Sequence, residues 1–251
     1  MISKGNVISI SPANPAAKKL WAKVLELAQS FGAEERWSLI GGLMVQLHAF
    51  ERGAGSRPTA DIDILGDSRR RPPVTALIAE ILVQRGGEMT MPPVGDANLG
   101  YRFEIEGKVV EVVGSEGVRH DPKTLGKYTT FQAPGGSQAL ARTEVVRVSL
   151  DGSPPVKLRR PSLLGAILIK TRAVAAERRD RLDSDRQDLI RLLSFVQDPR
   201  TLASEGRLRT TEKRWLRDIE PLMAFDDVAR TDVFSAADVG RAEQAYRLLI
   251  A

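Results

Sequence analysis

Two aspartates, Asp61 and Asp63, alternate with isoleucines in the run Arg57-Pro-Thr-Ala-Asp-Ile-Asp-Ile-Leu. Side chains alternate along a strand, so both carboxylates share one face while Ile62 and Ile64 take the other. Two carboxylates so placed repel each other unless a cation lies between them. Mg²⁺ suits that place, because it is held by one or two carboxylates together with phosphate oxygens. Upstream, Trp37-Ser-Leu-Ile runs as a short apolar strand into Gly41-Gly42, and a helical pattern follows. The glycines permit a turn closed to other residues, and the N–H groups and dipole of a helix start favour a phosphate. Singly, a Gly-Gly pair is most often only a turn and an Asp-x-Asp only a solvated edge. Their order makes them a coherent nucleotide-phosphate site.

Phosphoryl transfer with two metal ions calls for a third carboxylate. Glu111 is the candidate, since it interrupts the apolar run Val109-Val110-Glu111-Val112-Val113, where a charge demands a partner or a purpose. Glu104 and Glu106 alternate regularly with apolar residues and read as solvent-facing. Further on, Lys170 falls on the helical stripe of Leu163, Ile167 and Val174, while Asp185 and Asp188 share a face with Leu189, Leu192 and Val196. Inward-facing charges are costly unless they meet each other or a ligand. Two readings follow: a buried ion pair fastening two helices, or a lysine on nucleotide phosphates oriented by an aspartate. Arg57 either neutralises phosphate or pairs with Asp61.

Other polar residues carry less. His48 reads as a structural histidine beside Leu47 and Phe50, and His120 as an isolated loop residue; two histidines do not make a His-based metal centre. Arg69, Arg70 and Arg71 read as a solvated run close after the aspartate strand. Trp215, amid Lys213, Arg214 and Arg217, is a core anchor or a stacking platform for a base. The absence of cysteine excludes disulfides, thiolate metal sites and thiol nucleophiles. Met1 to Pro15 lacks the apolar stretch of a secretory signal, and no run suits a membrane span, so a cytoplasmic location without a membrane partner is expected. From Lys157 to Arg217 there are 16 Lys plus Arg against 8 Asp plus Glu, a net +8, whereas the rest of the chain sums to −3. A localised positive field of this kind draws polyanions, or merely solvates helix faces.

The elements that must position these residues follow from periodicity and punctuation. Helices are expected at Ala16 to Phe31, Leu43 to Phe50, Val74 to Arg85, Ser162 to Glu177, Asp185 to Gln197, Thr210 to Leu222 and Ser235 to Ile250. Strands are expected at Trp37 to Ile40, Ala60 to Leu65, Tyr101 to Ile105, Val109 to Val113, Tyr128 to Gln132, Val145 to Leu150 and Val156 to Leu158. This is an α+β chain: a mixed sheet in residues 1–160, then a helical half in 161–251 that completes a cleft.

The pattern Gly41-Gly42, Arg57-x-Thr59-x-Asp61-x-Asp63, with Lys170-Thr-Arg-Ala and Asp185-Arg-Gln-Asp188-Leu, resembles the AbiEii-type nucleotidyltransferase toxins. Those are relatives of the minimal nucleotidyltransferases in the DNA polymerase β superfamily. The resemblance runs from Trp37 to Leu193 and is dense at the two blocks. The loop before Asp61 and the gap from Lys170 to Asp185 are longer here, and Glu111 stands where relatives often have Asp. It implies metal at Asp61, Asp63 and Glu111, triphosphate on Gly41, Gly42 and Lys170, and Asp185 and Asp188 beside that lysine. The implied reaction moves a nucleoside monophosphate from an NTP, with Mg²⁺ (two ions), to a hydroxyl. The implied role is the toxin of a toxin–antitoxin or phage-defence pair, with a protein antitoxin as partner. The basic C-terminal half suggests RNA as acceptor, the tRNA 3′ end first. Transfer to a small molecule such as an aminoglycoside, transfer to a protein, or a silent nucleotide-binding module are the alternatives.

Overall fold

A computed structural model describes residues 7–32, 34–91, 98–176, 182–198, 202, 208–223, 225 and 234–251. The aspartate strand becomes β3 (Asp61–Gly66), and its neighbours make a mixed sheet around it. β2 (Trp37–Ile40) pairs antiparallel with one edge of β3, and β6 (Lys108–Ser115) runs parallel along the other. β5 (Arg102–Ile105) and β4 (Glu88–Thr90) follow antiparallel, giving the order β2-β3-β6-β5-β4, and β7 (Gln132–Ala133) adds briefly to β6. A second sheet joins β1 (Val7–Ile10), β8 (Thr143–Leu150) and β9 (Val156–Pro161), with β1 parallel to β8. This is a mixed α/β fold whose N-terminal sheets are followed by helices.

Ile62 and Ile64 of β3, with Val110 and Val112 of β6, are buried on the sheet face away from the aspartates. Against that face packs α3 (Val74–Gln84), carrying Ile78 and Leu82, while α1 (Pro15–Ser30), carrying Trp21 and Leu27, joins the same core from its seat on β8 and β9. Among the described residues further helices are α4 (Gly136–Ala141), α5 (Leu163–Ala175), α6 (Leu182–Ser194), α7 (Thr210–Asp218) and α8 (Ala236–Ile250). The last four build a separate apolar core. α2 (Gly41–Glu51) belongs to both cores: Leu43 and Leu47 face the sheets, Met44 and Val45 the helices. A helix apolar on every side must be buried on every side.

Several expectations are corrected. Gly41 and Gly42 form the first turn of α2 and do not precede it. The strand expected at Tyr128 to Gln132 shrinks to Gln132–Ala133, because Thr129 and Thr130 give their N–H groups to loop carbonyls of Asn98 and Pro122. β1, β4 and α4 were not foreseen; the first two are short, and α4 begins in a Gly-Gly-Ser stretch that reads as a turn. The helix expected to run to Leu222 stops at Asp218, and a 3₁₀ turn, Glu220–Leu222, holds Pro221. Glu177, expected at the end of α5, lies outside the described residues.

His48 pins α2 to the end of β9. It is 1% exposed, and its Nε2–H donates to the Pro161 carbonyl 3.1 Å away. Burial, then the Arg160 and Arg52 guanidinium groups, hold its pKa well below the usual 6.5. The unfolded chain takes a proton on this ring near pH 6.5 while the folded chain does not, so the unfolded state gains protons as pH falls. Stability is expected to drop below about pH 6.5, by about 1.4 kcal/mol between pH 7.5 and 5.5. Urea unfolding of wild type and His48→Gln across that range checks it: the variant, though weaker, should lose this slope.

Candidate active site

The two glycines are required by contact as much as by conformation. Gly41 has φ +68°, and a Cβ there would stand 1.8 Å from Asp63 Oδ2. At Gly42 a Cβ would come within 2.9 Å of Thr59 Cβ and 3.3 Å of Arg57 Nη2. The first turn of α2 is therefore seated directly on β3 and the loop before it. Strand register then sets a polar row across the sheet. Asp63 lies opposite Glu111 on β6, and Glu111 lies opposite Arg102 on β5. Arg102 Nη1 is 3.2 Å from Glu111 Oε1.

One cavity of about 460 Å³ opens over this row. Its polar wall carries Thr59, Asp61, Asp63, Glu111, Lys170 and Asp185. Its apolar wall is Ile40, Val113, Phe131, Ala133, Pro134 and Ile169. Gly41, Gly42 and Arg57 also line it. Of the site residues expected from sequence, Asp188 alone is set behind the lining.

Asp188 is 1% exposed and is held from two sides. Arg57 grips it with both forks, Nε to Oδ1 and Nη2 to Oδ2 at 2.8 Å each. Lys170 Nζ is 2.8 Å from Asp188 Oδ2 and 2.8 Å from Asp185 Oδ1. Arg57 thus pairs with Asp188 and not with Asp61, because the loop before β3 turns its guanidinium toward α6. Burial by itself would lower the Lys170 pKa, but Asp188 and Asp185 more than offset this, and it is raised. The ion-pair reading of Lys170 is realised in the geometry. Two cations and two carboxylates form a closed, neutral cluster at the cavity wall.

Asp61 and Asp63 suit one hard cation: two oxygen donors on one strand face, both partly exposed toward the cavity. Glu111, the third carboxylate expected from sequence, lines the same cavity. Among the described residues, no three His, Cys, Asp or Glu side chains are arranged to hold a metal ion. The Arg102 guanidinium engages Glu111 from the β5 side.

Sequence reasoning passed over Thr59, Phe131 and Arg172 as cavity residues. Thr59 carried a signal, since it continues the two-residue period of Asp61 and Asp63. Arg172 carried none from Lys170, being two residues along the helix; it shares a stripe with Ile169 and Ala176. Trp215 is partly buried against the helical core, with the Arg172 guanidinium 5.0 Å from its ring centroid. Arg70 and Arg71 are exposed as expected, and Arg69 donates to the Ser137 hydroxyl. His120 is exposed, and Glu106 pairs with Lys23 at 3.0 Å.

Replacing Asp188 by Ala leaves two cations at the cavity wall without their shared carboxylate, and a loss of about 3–5 kcal/mol is expected. A lower denaturant midpoint at unchanged slope would register it. Gly41→Ala is expected to displace the Asp63 carboxylate, seen as impaired Mg²⁺-dependent nucleotide binding by calorimetry.

No family model matches the chain, and no curated protein does. Among solved structures, the chain is similar to an antigenic nucleotidyltransferase-like protein from Paracoccidioides brasiliensis, at 16% identity and a TM-score of 0.48. That alignment covers 88% of this chain and 96% of that one. It is also similar to ANT(2")-Ia in complex with adenylyl-2"-tobramycin, at 15% identity and a TM-score of 0.36, covering 94% of this chain and 99% of the other. Both likenesses are loose, and what the site can do follows from its own residues.

Proposed function

We propose that the chain is a nucleotidyltransferase, moving a nucleoside monophosphate from a magnesium-bound NTP to an acceptor hydroxyl. The observation that carries this reading is the joint placement of Asp61, Asp63 and Glu111 on one cavity, with Gly41 pressed against Asp63. Asp61 and Asp63 would hold Mg²⁺, which when bound supplies charge neutralisation on the phosphate oxygens. The first-turn N–H groups of α2 have no intrahelical partner and offer donors to phosphate. The acceptor oxygen attacks the α-phosphorus, the bond to the β-phosphate oxygen breaks, and pyrophosphate leaves. The proton lost by the acceptor passes to the Glu111 carboxylate, which Arg102 positions from the β5 side.

For the acceptor, a small hydroxyl compound is favoured over RNA by one observation. Part of the basic stretch that suggested RNA is engaged in ion pairs. Arg160 pairs with Glu51 and Glu144, Lys170 with Asp185 and Asp188, Arg186 with Asp183, and Arg191 with Asp238. ANT(2")-Ia, one of the similar structures, is bound to an adenylylated aminoglycoside. An RNA acceptor such as a tRNA 3′ end, the toxin role and a protein antitoxin rest on the sequence resemblance. Among the described residues no helix is long and apolar enough to cross a membrane.

The test is transfer of label from each α-labelled NTP, with Mg²⁺, to an aminoglycoside panel and to total RNA. Label in a small-molecule product, lost in Asp61→Ala, is the expected result. Label in a discrete RNA band would instead establish the RNA acceptor. If folded wild type labels no acceptor and binds no NTP, nucleotidyl transfer is wrong.

A further inference from the structure

Three cations line the cavity, Arg57, Lys170 and Arg172, and they are not equivalent. Arg57 and Lys170 are closed into the neutral cluster with Asp185 and Asp188. Their charge is balanced within the protein before any substrate arrives. Arg172 is different. Among the described residues it has no hydrogen-bond or ion-pair partner, and its guanidinium instead faces the ring of Trp215.

That contact fixes the guanidinium in place. One side of the Arg172 chain lies against Gly135, where a Cβ would come within 3.0 Å of Arg172 Cγ, and the guanidinium lies over the indole of α7. Gly135 has φ +83°, so a side chain is doubly disfavoured there. A planar fork stacked on an aromatic ring keeps its N–H donors in plane and able to meet oxyanions. Because it is already ordered, little side-chain freedom is lost on binding.

We propose that Arg172 is the residue that binds the substrate's anionic phosphate oxygens, those of the β- and γ-phosphates of the NTP, in place of Lys170. The proposal rests on the nucleotidyl-transfer reading above and adds to it the residue that recognises the polyphosphate. The same fork would also suit a phosphodiester of an RNA acceptor, and the test separates the two sources.

Binding of a non-hydrolysable NTP analogue, and of the matching NDP and NMP, is measured by calorimetry with Mg²⁺ on wild type, Arg172→Gln and Arg172→Lys. Thermal unfolding checks that the variants are folded. Loss of a charge-assisted hydrogen-bond donor predicts NTP analogue binding weakened about tenfold to hundredfold in Arg172→Gln. NMP affinity should be unchanged, and Arg172→Lys should fall between. Equal NTP affinity in wild type and Arg172→Gln overturns the proposal while leaving nucleotidyl transfer standing. So does equal weakening of NTP and NMP. If Arg172→Gln binds the NTP normally but loses affinity for RNA, the fork serves the acceptor and the proposal fails. If wild type binds no nucleotide, the proposal falls together with the reading beneath it.

Discussion

A carboxylate buried to the extent of Asp188 is tolerable only when cations surround it. That requirement organises the functional half of this molecule. Arg57 comes from the loop before β3, Lys170 from α5, and the aspartate itself from α6, so a single buried charge fastens three segments that are far apart in sequence. Loss of any one member would leave the cluster with an unbalanced charge in a poorly solvated place. The cluster therefore fixes how the loop carrying Thr59 and Asp61 meets the helices that close the cavity.

The second constraint is steric. α2 is apolar all round and lies between two cores, so it has little freedom to shift along its axis. Its first turn presses on Asp63 and Thr59 at distances that admit no side chain at residues 41 and 42. The helix that would present N–H groups to a phosphate is thus registered against the strand that would hold the metal. Sheet pairing extends this registration to Glu111 and Arg102, which sit on successive strands of the same row.

The charge pattern of the cavity follows from these two constraints. The carboxylates stand at the sheet end, a neutral cluster forms the flank, and Arg172 is held apart on the indole of Trp215. Separating like from unlike charge in this way suits a ligand that brings both a cation and a polyanion, as a magnesium–nucleotide does.

Much of the site was legible because its spacing is local. The two-residue period of a strand places Asp61 and Asp63 together whatever surrounds them, and a charge inside a valine run marks Glu111 before its partners are known. Helical stripes marked Lys170, Asp185 and Asp188 as inward-facing. The long helices were equally plain, with ends displaced by a few residues. What periodicity could not reach was pairing across distance. The parallel union of β1 with β8, the turn of Arg57 toward Asp188 and away from Asp61, the hold of Arg102 on Glu111, and the place of Arg172 beside Trp215 join residues whose separation leaves no repeat to read. The sequence by itself determined which groups are present and which face of each element they occupy, because backbone geometry enforces both. Which charges neutralise one another, and which is left to meet a substrate, was decided only by the tertiary structure, because an ion pair forms between neighbours in space and chain order does not choose them.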